Sequence, residues 1–141
     1  MMMNAHAFED LPEGFEEHWD YAVSPAVYEA FLRASGDESP IHVDDEAARA
    51  RGFPGRVMHG GLLHAFLSHF VGMRLPGARA LLLSADLRYV APCHLGDQVR
   101  LVGRVAQRVE SQRVLVLHVR FDNLTQGRAV ARGRVQVQVA P

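Results

Sequence analysis

The 141 residues are 48% hydrophobic and 22% charged, with a net charge of −1, the length and composition of one folded domain rather than of a disordered or low-complexity chain. Every one of the fifteen Lys-or-Arg side chains is arginine, so chemistry that needs a lysine amine, such as a Schiff base or a Walker-A phosphate site, is excluded. The near-neutral total hides a division, because residues 1–46 hold twelve acids against the single Arg33, whereas residues 47–141 hold fourteen arginines against four acids. Either the two parts face each other with complementary charge, or the arginines line a surface for an anionic ligand.

Residues 1–13 are polar and aperiodic and read as a flexible N-terminal arm, leaving 14–141 as the domain. Gly14 to Val23 reads as a first strand. Ser24 before Pro25 is an N-cap followed by proline at the first helical position, where its missing N–H costs nothing. Val27, Tyr28, Phe31 and Leu32 give that helix its apolar stripe, and Ser35-Gly36 ends it. From Asp37 to Arg56 the pattern loses any long period and predicts an ordered loop with one short helix. Asp44 would cap that helix, Asp45 and Glu46 would sit in its first turn, and Gly52 would stop it.

Gly60 to Met73 is apolar nearly all round the helical axis, the mark of a buried helix. Its apolar run is broken by His64, Ser68 and His69 and is shorter than the ~20 residues of a membrane span. After Pro76-Gly77 the period becomes two. Strands are predicted over Leu81 to Tyr89, Val99 to Arg108, Leu115 to Phe121 and Ala129 to Val139, joined by three antiparallel connections. The order predicts an α+β domain in which an antiparallel sheet wraps one apolar helix. Cys93 is the sole cysteine and reads as a packed thiol. With no disulfide and no N-terminal signal pattern, a cytoplasmic protein is expected. No aromatic-rich basic signature accompanies the arginines, so neither a nucleic-acid partner nor a membrane is expected.

Two places carry chemistry. Asp37 and His42 lie in the run Ser35-Gly36-Asp37-Glu38-Ser39-Pro40-Ile41-His42, where Gly36 and Pro40 turn the chain so that both side chains can converge on one water as an acid-base pair. The same spacing also suits a capping aspartate and a structural histidine. His59-Gly60-Gly61 opens the apolar helix, where free N–H groups can receive a developing oxyanion, or where two glycines simply allow tight packing. His59, His64 and His69, five apart, do not share a helix face, so no metal site is expected.

The run SGDESPIHVDDEAARARGFPGRVMHGGLLHAFLSHF, followed by LPGARALLLSADLRYVAPCHLGDQV, resembles the (R)-specific enoyl-CoA hydratases and MaoC-like dehydratases, whose hallmark reads approximately G-D-x-N-P-x-H-x-D and then HG before an apolar helix. The resemblance covers about residues 15–139. It implies a single hot dog fold, a curved antiparallel sheet around a long buried helix, in homodimers or dimers of dimers with sites near the subunit interface. It implies that Asp37 and His42 are the catalytic pair, that the Gly60 N–H binds the thioester carbonyl oxygen, and that Ser68 lines the site. Ser39 stands where the family usually has Asn. Gly61 and His64 replace larger apolar residues, which would widen or polarise the acyl pocket, and His59 completes the expected pocket set.

The resemblance thus predicts a hydro-lyase that reversibly hydrates a trans-2-enoyl thioester to an (R)-3-hydroxyacyl product, needing no cofactor and acting on short to medium acyl groups carried by CoA or by an acyl-carrier protein. A thioesterase on the same fold and a non-catalytic acyl-thioester-binding protein are the alternatives. An anionic CoA nucleotide or an acidic carrier protein is the expected use of some of the arginines.

Overall fold

The computed structural model describes residues 2–141. In chain order its main elements are β1 (Glu16–Ala22), α1 (Pro25–Ser35), α2 (Pro40–Val43), α3 (Asp45–Ala50), α4 (Leu62–Met73), β2 (Ala80–Tyr89), β3 (Gln98–Val109), β4 (Val114–Asn123) and β5 (Arg128–Val139). The five strands form one antiparallel sheet in the order β1-β3-β4-β5-β2, curled around α4 in the expected α+β hot dog arrangement.

Caps and turns behave as the sequence predicts. Ser24 Oγ accepts the N–H of Val27 at 3.2 Å, and Asp44 Oδ1 accepts those of Glu46 and Ala47. On the inner face of the sheet Leu101, Leu115, Leu117, Phe121, Val135 and Val137 are fully buried, and from α4 Leu63, Leu67 and Phe70 pack into the same core. Burial of such side chains stabilises by roughly 1.5–3 kcal/mol each. Close approach of α4 depends on Gly103, where an added Cβ would lie 2.7 Å from Phe70 Cε1.

Four expectations are corrected. The arm is not loose: Phe8 and Leu11 are buried, the Arg108 guanidinium lies 3.9 Å from the Phe8 ring centroid, and Asn4 bonds to the backbone at Met73 and Arg74. Two apolar anchors three residues apart hold it, too few to show a period. The 37–56 segment carries two short helices rather than one. The extra α2 has Pro40 at its first turn and is too short for a hydrophobic repeat. Only β3–β4 and β4–β5 are sequential pairs; β2 instead pairs with β5, and the chain crosses the sheet to reach β3. Finally, α4 is buried on one side only, through Leu62, Leu63, Phe66, Leu67, Phe70 and Val71, while Ala65 and Ser68 are exposed.

The charge division is partly internal. Asp20 bonds Arg100 through both oxygens at 2.7 and 3.0 Å, Glu17 meets Arg74 at 2.6 Å, and Glu9 meets Arg113 at 2.8 Å. Many arginines on the sheet lack such partners. Among the described residues no helix is long and apolar enough to cross a membrane.

Candidate active site

The site begins where α1 stops. Gly36 adopts the left-handed conformation at φ 69°, which an L side chain rarely takes, and its N–H closes on Leu32 O. The chain turns there, so Asp37 and His42 are not held on diverging faces of one helix. Ser39 fixes one oxygen of Asp37, its N–H donating to Oδ1 at 3.0 Å and its hydroxyl at 2.6 Å. The other oxygen, Oδ2, lies 3.6 Å from His42 Nε2. The Asp37 side chain is 45% exposed and that of His42 only 12%. The Ser39 hydroxyl and amide, then the two nearby imidazoles, hold the Asp37 carboxyl below the usual carboxylate range.

His42 is aimed from behind. Its Nδ1 lies 2.7 Å from Val57 O; a carbonyl only accepts, so Nδ1 carries the hydrogen of the neutral ring and Nε2 offers a lone pair toward Asp37. Tyr28, buried in α1, sets its hydroxyl 2.6 Å from His42 O and 3.0 Å from Val57 O, tying the two segments together. A lone-pair nitrogen and a carboxylate oxygen at 3.6 Å do not bond each other. Both accept, and a water placed about 2.8 Å from each would satisfy them by donating its two hydrogens.

His59 forms the back wall. It is 3% exposed, stacks on the His42 ring with centroids 3.9 Å apart and planes at 21°, and donates from Nε2 to Asp37 O at 2.8 Å. Tyr28 and Phe31 of α1 close around it, and its Nδ1 is buried with no partner among the described residues. Asp37, His42 and His59 each offer a ligand atom, all within 4.8 Å of one another. Stacked rings direct their in-plane lone pairs side by side rather than toward one ion, and one nitrogen of each ring is already committed to a carbonyl, so the trio fits a set of hydrogen-bonding groups better than a metal cage.

In front of His42 opens a cavity of about 400 Å³, lined at its polar end by His42 and Gly60 and along an apolar wall that includes Met58, Leu63, Tyr89, Cys93 and Val130. The N–H groups of Gly60 and Gly61 have no acceptor among the described residues. The first α4 bonds instead run from Leu62 to His59 O and from Leu63 to Gly60 O. Tyr89 lies across Gly60, so that a Cβ there would stand 3.3 Å from Tyr89 Cζ. Cys93 is an apolar wall residue, its thiol pushed up to about 11 by burial and then by Asp97. A second hollow of about 570 Å³ on β1 is walled by Glu16, Glu17, Asp20 and Arg74 and shares no lining residue with this cavity.

Asp37, His42 and Gly60 therefore converge as the sequence predicts, and the other candidates divide. Ser39 braces Asp37 instead of lining the apolar cavity. His59 lies behind the pair. Gly61 packs on Phe31, where a Cβ would come within 2.8 Å of Cζ, so its small size admits α1 rather than widening the pocket. His64 is at the margin, with its ring centroid 6.4 Å from that of Tyr89, and Ser68 is exposed two turns into α4, outside the cavity of this chain. Sequence reasoning gave Tyr28 and Tyr89 no role in the site; a tyrosine in an otherwise apolar stripe was the available signal, since a buried hydroxyl needs a partner.

Residues 9–126 match the MaoC like domain family. Over 134 residues, 95% of this chain and 92% of the relative, the sequence is 31% identical to a Rhodospirillum rubrum protein named (R)-specific enoyl-CoA hydratase. It is 32% identical over 88 residues, 62% of this chain and 52% of the relative, to an Arabidopsis thaliana protein named mitochondrial 3-hydroxyacyl-[acyl-carrier-protein] dehydratase. The fold matches that of the unliganded R-hydratase of Pseudomonas aeruginosa with a TM-score of 0.89 at 25% identity, covering 98% of this chain and 87% of that one.

Proposed function

From the premise that this chain belongs to the MaoC-like dehydratase and (R)-specific enoyl-CoA hydratase family, we propose that it is a hydro-lyase adding water reversibly across the 2,3 double bond of a trans-2-enoyl thioester, carried on CoA or on an acyl-carrier protein, to give the (R)-3-hydroxyacyl product. The observation that carries this reading is the meeting of two acceptors, Asp37 Oδ2 and His42 Nε2, 3.6 Å apart beside an apolar cavity that also receives Gly60.

The chemistry follows from the acceptors. A water donating to both has its oxygen lone pairs turned toward the cavity, where the β-carbon of an enoyl group would lie. As that oxygen bonds the β-carbon, the π electrons move toward the thioester carbonyl, and the Gly60 N–H at the positive end of α4 stabilises the resulting enolate-like oxygen. Asp37 takes the proton of the water. His42 Nε2, which has no carbonyl partner and no hydrogen of its own, receives that proton from Asp37 and passes it to the α-carbon, so that one water hydrogen stays on the new hydroxyl and the other ends on the α-carbon. Water is the only reagent consumed.

Two copies pairing through β2 fit the site's position. Leu81, Leu82 and Leu83 on this edge strand are 59%, 40% and 50% exposed, and Tyr89 at its end lines the cavity. A homodimer in the cytoplasm, where Cys93 stays reduced, is the form we assign.

Loss of enoyl absorbance from crotonyl-CoA tests the reaction, with release of free thiol as the mark of a thioesterase. Asp37→Ala and His42→Ala should each lower kcat roughly 10²- to 10⁴-fold; unchanged turnover in both variants would remove them from the mechanism.

A further inference from the structure

On the outer face of the sheet, opposite α4, the strand register gathers arginines from four neighbouring strands. Arg88 of β2 is directly opposite Arg132 of β5, which is opposite Arg120 of β4. Two residues along, Arg134 is opposite His118, and His118 is opposite Arg104 of β3. All six are exposed. Cross-strand like charges oppose pairing, and the same face shows that the alternative was open to this sequence, since Arg100 is held by both oxygens of Asp20. Of the five arginines in these rows, only Arg120 has a carboxylate within salt-bridge reach among the described residues, that of Asp122 at 2.8 Å.

We propose that this face docks an acidic acyl-carrier protein while its tethered acyl group enters the cavity. The proposal rests on the enoyl-thioester reading above and names the partner for it. Location favours it: Arg88 immediately precedes Tyr89 and Val90, which line the cavity, and Val130, two residues before Arg132, lines it too. Three adjacent strands make the row about 10 Å wide, and the second row follows about 7 Å along them. An array of that size matches the acidic flank of a helix rather than the few phosphates of one nucleotide. The rows carry no Phe, Tyr or Trp ring on which a base would stack. Asp86, opposite Arg134, and Asp122 interrupt the positive surface, so it does not continue as a track for a nucleic-acid backbone.

The test compares three thioesters of one acyl group, crotonyl-pantetheine, crotonyl-CoA and crotonyl-acyl-carrier protein, on the full chain and on the double variant Arg88→Glu/Arg132→Glu. With the carrier substrate KM should rise about tenfold or more, the lower end of what electrostatic steering supplies. For the unsubstituted chain that KM should also climb with salt, while kcat/KM on pantetheine stays unchanged and that on CoA changes less than about twofold. An equal loss on CoA and carrier would assign the face to nucleotide phosphates, and no change on any substrate would leave it without a docking role; either overturns the proposal. RNA binding abolished by the same variant would overturn it as well. Arg88→Gln/Arg132→Gln, which only removes charge, guards against misfolding of the reversal. If the unsubstituted chain hydrates none of the three, the hydratase reading fails by itself. Direct titration with the crotonyl carrier then decides docking: binding lost in the variant supports it, and no binding by the unsubstituted chain refutes it.

Discussion

Ser39 holds Asp37 by one oxygen and leaves the other free. Its amide and hydroxyl both reach Oδ1, at 3.0 and 2.6 Å, while Oδ2 faces His42 Nε2 at 3.6 Å. The hydroxyl and amide thus divide the carboxylate into a braced side and a free side.

This division sets the first prediction. The Ser39 hydroxyl is the largest influence lowering the Asp37 pKa, so Ser39→Ala moves that pKa up toward the ordinary carboxylate value. Because the proposed base is the ionised form, the acid limb of the kcat/KM profile then shifts to higher pH, with the loss of activity greatest in acid. Ser39→Asn, which restores a donor, should move the limb back. A pH profile in which Ser39→Ala follows the unsubstituted chain would separate Ser39 from Asp37.

His59 is predicted to act through position. His59→Phe keeps a ring against His42 and removes the donor to Asp37 O, freeing the loop that carries the carboxylate. We expect kcat to fall by about 10- to 100-fold, the scale of a small misplacement of a catalytic group, with KM nearly unchanged. Steady-state kinetics on crotonyl-CoA reads the two separately, and a change confined to KM would argue for a wall of the pocket instead.

At Gly60, stability and activity should part company. Gly60→Ala brings a Cβ 3.3 Å from Tyr89 Cζ, but the Tyr89 side chain is half exposed and can swing. The loss of stability should be at most about 1 kcal/mol, the mild end of overpacking. The displaced ring enters the cavity mouth, so kcat/KM should fall more than the change in stability would suggest. Urea unfolding and kinetics on the same preparation check the pair, and Tyr89→Leu should restore part of the activity of Gly60→Ala.

A last prediction concerns the seat of α4. Phe70 is fully buried and occupies the space that a side chain at 103 would need. Gly103→Ala should cost about 1–3 kcal/mol by overpacking and Phe70→Ala about 3–5 kcal/mol through the cavity it leaves. Because the two changes act on one volume, the combination Gly103→Ala/Phe70→Leu should cost less than the sum of its parts in urea denaturation.

Much of this was legible locally. The caps at Ser24 and Asp44, the stop at Gly36 and the period-two runs each depend on a few neighbouring residues, and they fall where the sequence predicts. The strand order did not follow, because β2 and β5 match in pattern with every other strand and only the crossover chooses between partners. At the site, Asp37, His42 and Gly60 were legible because a turn and a helix start bring them together. The positions of His59, Ser39 and Ser68 relative to the cavity were not legible, because spacing fixes which residues are near a site but not which side of it they occupy. Whether His59 is in front of His42 or behind it depends on α1 packing through Tyr28 and Phe31, a contact across about thirty residues of chain.

The two free edges of the sheet are unlike. β2 ends the sheet with exposed leucines, whereas β1 ends it with Glu16, His18 and Asp20 turned outward. Pairing of two β1 edges would bring the Glu16 and Asp20 positions of two copies together, a less favourable match than leucine against leucine. In the proposed homodimer the two β2 margins would be used up on each other, so strand addition there would end with one joining step instead of running on into a fibre.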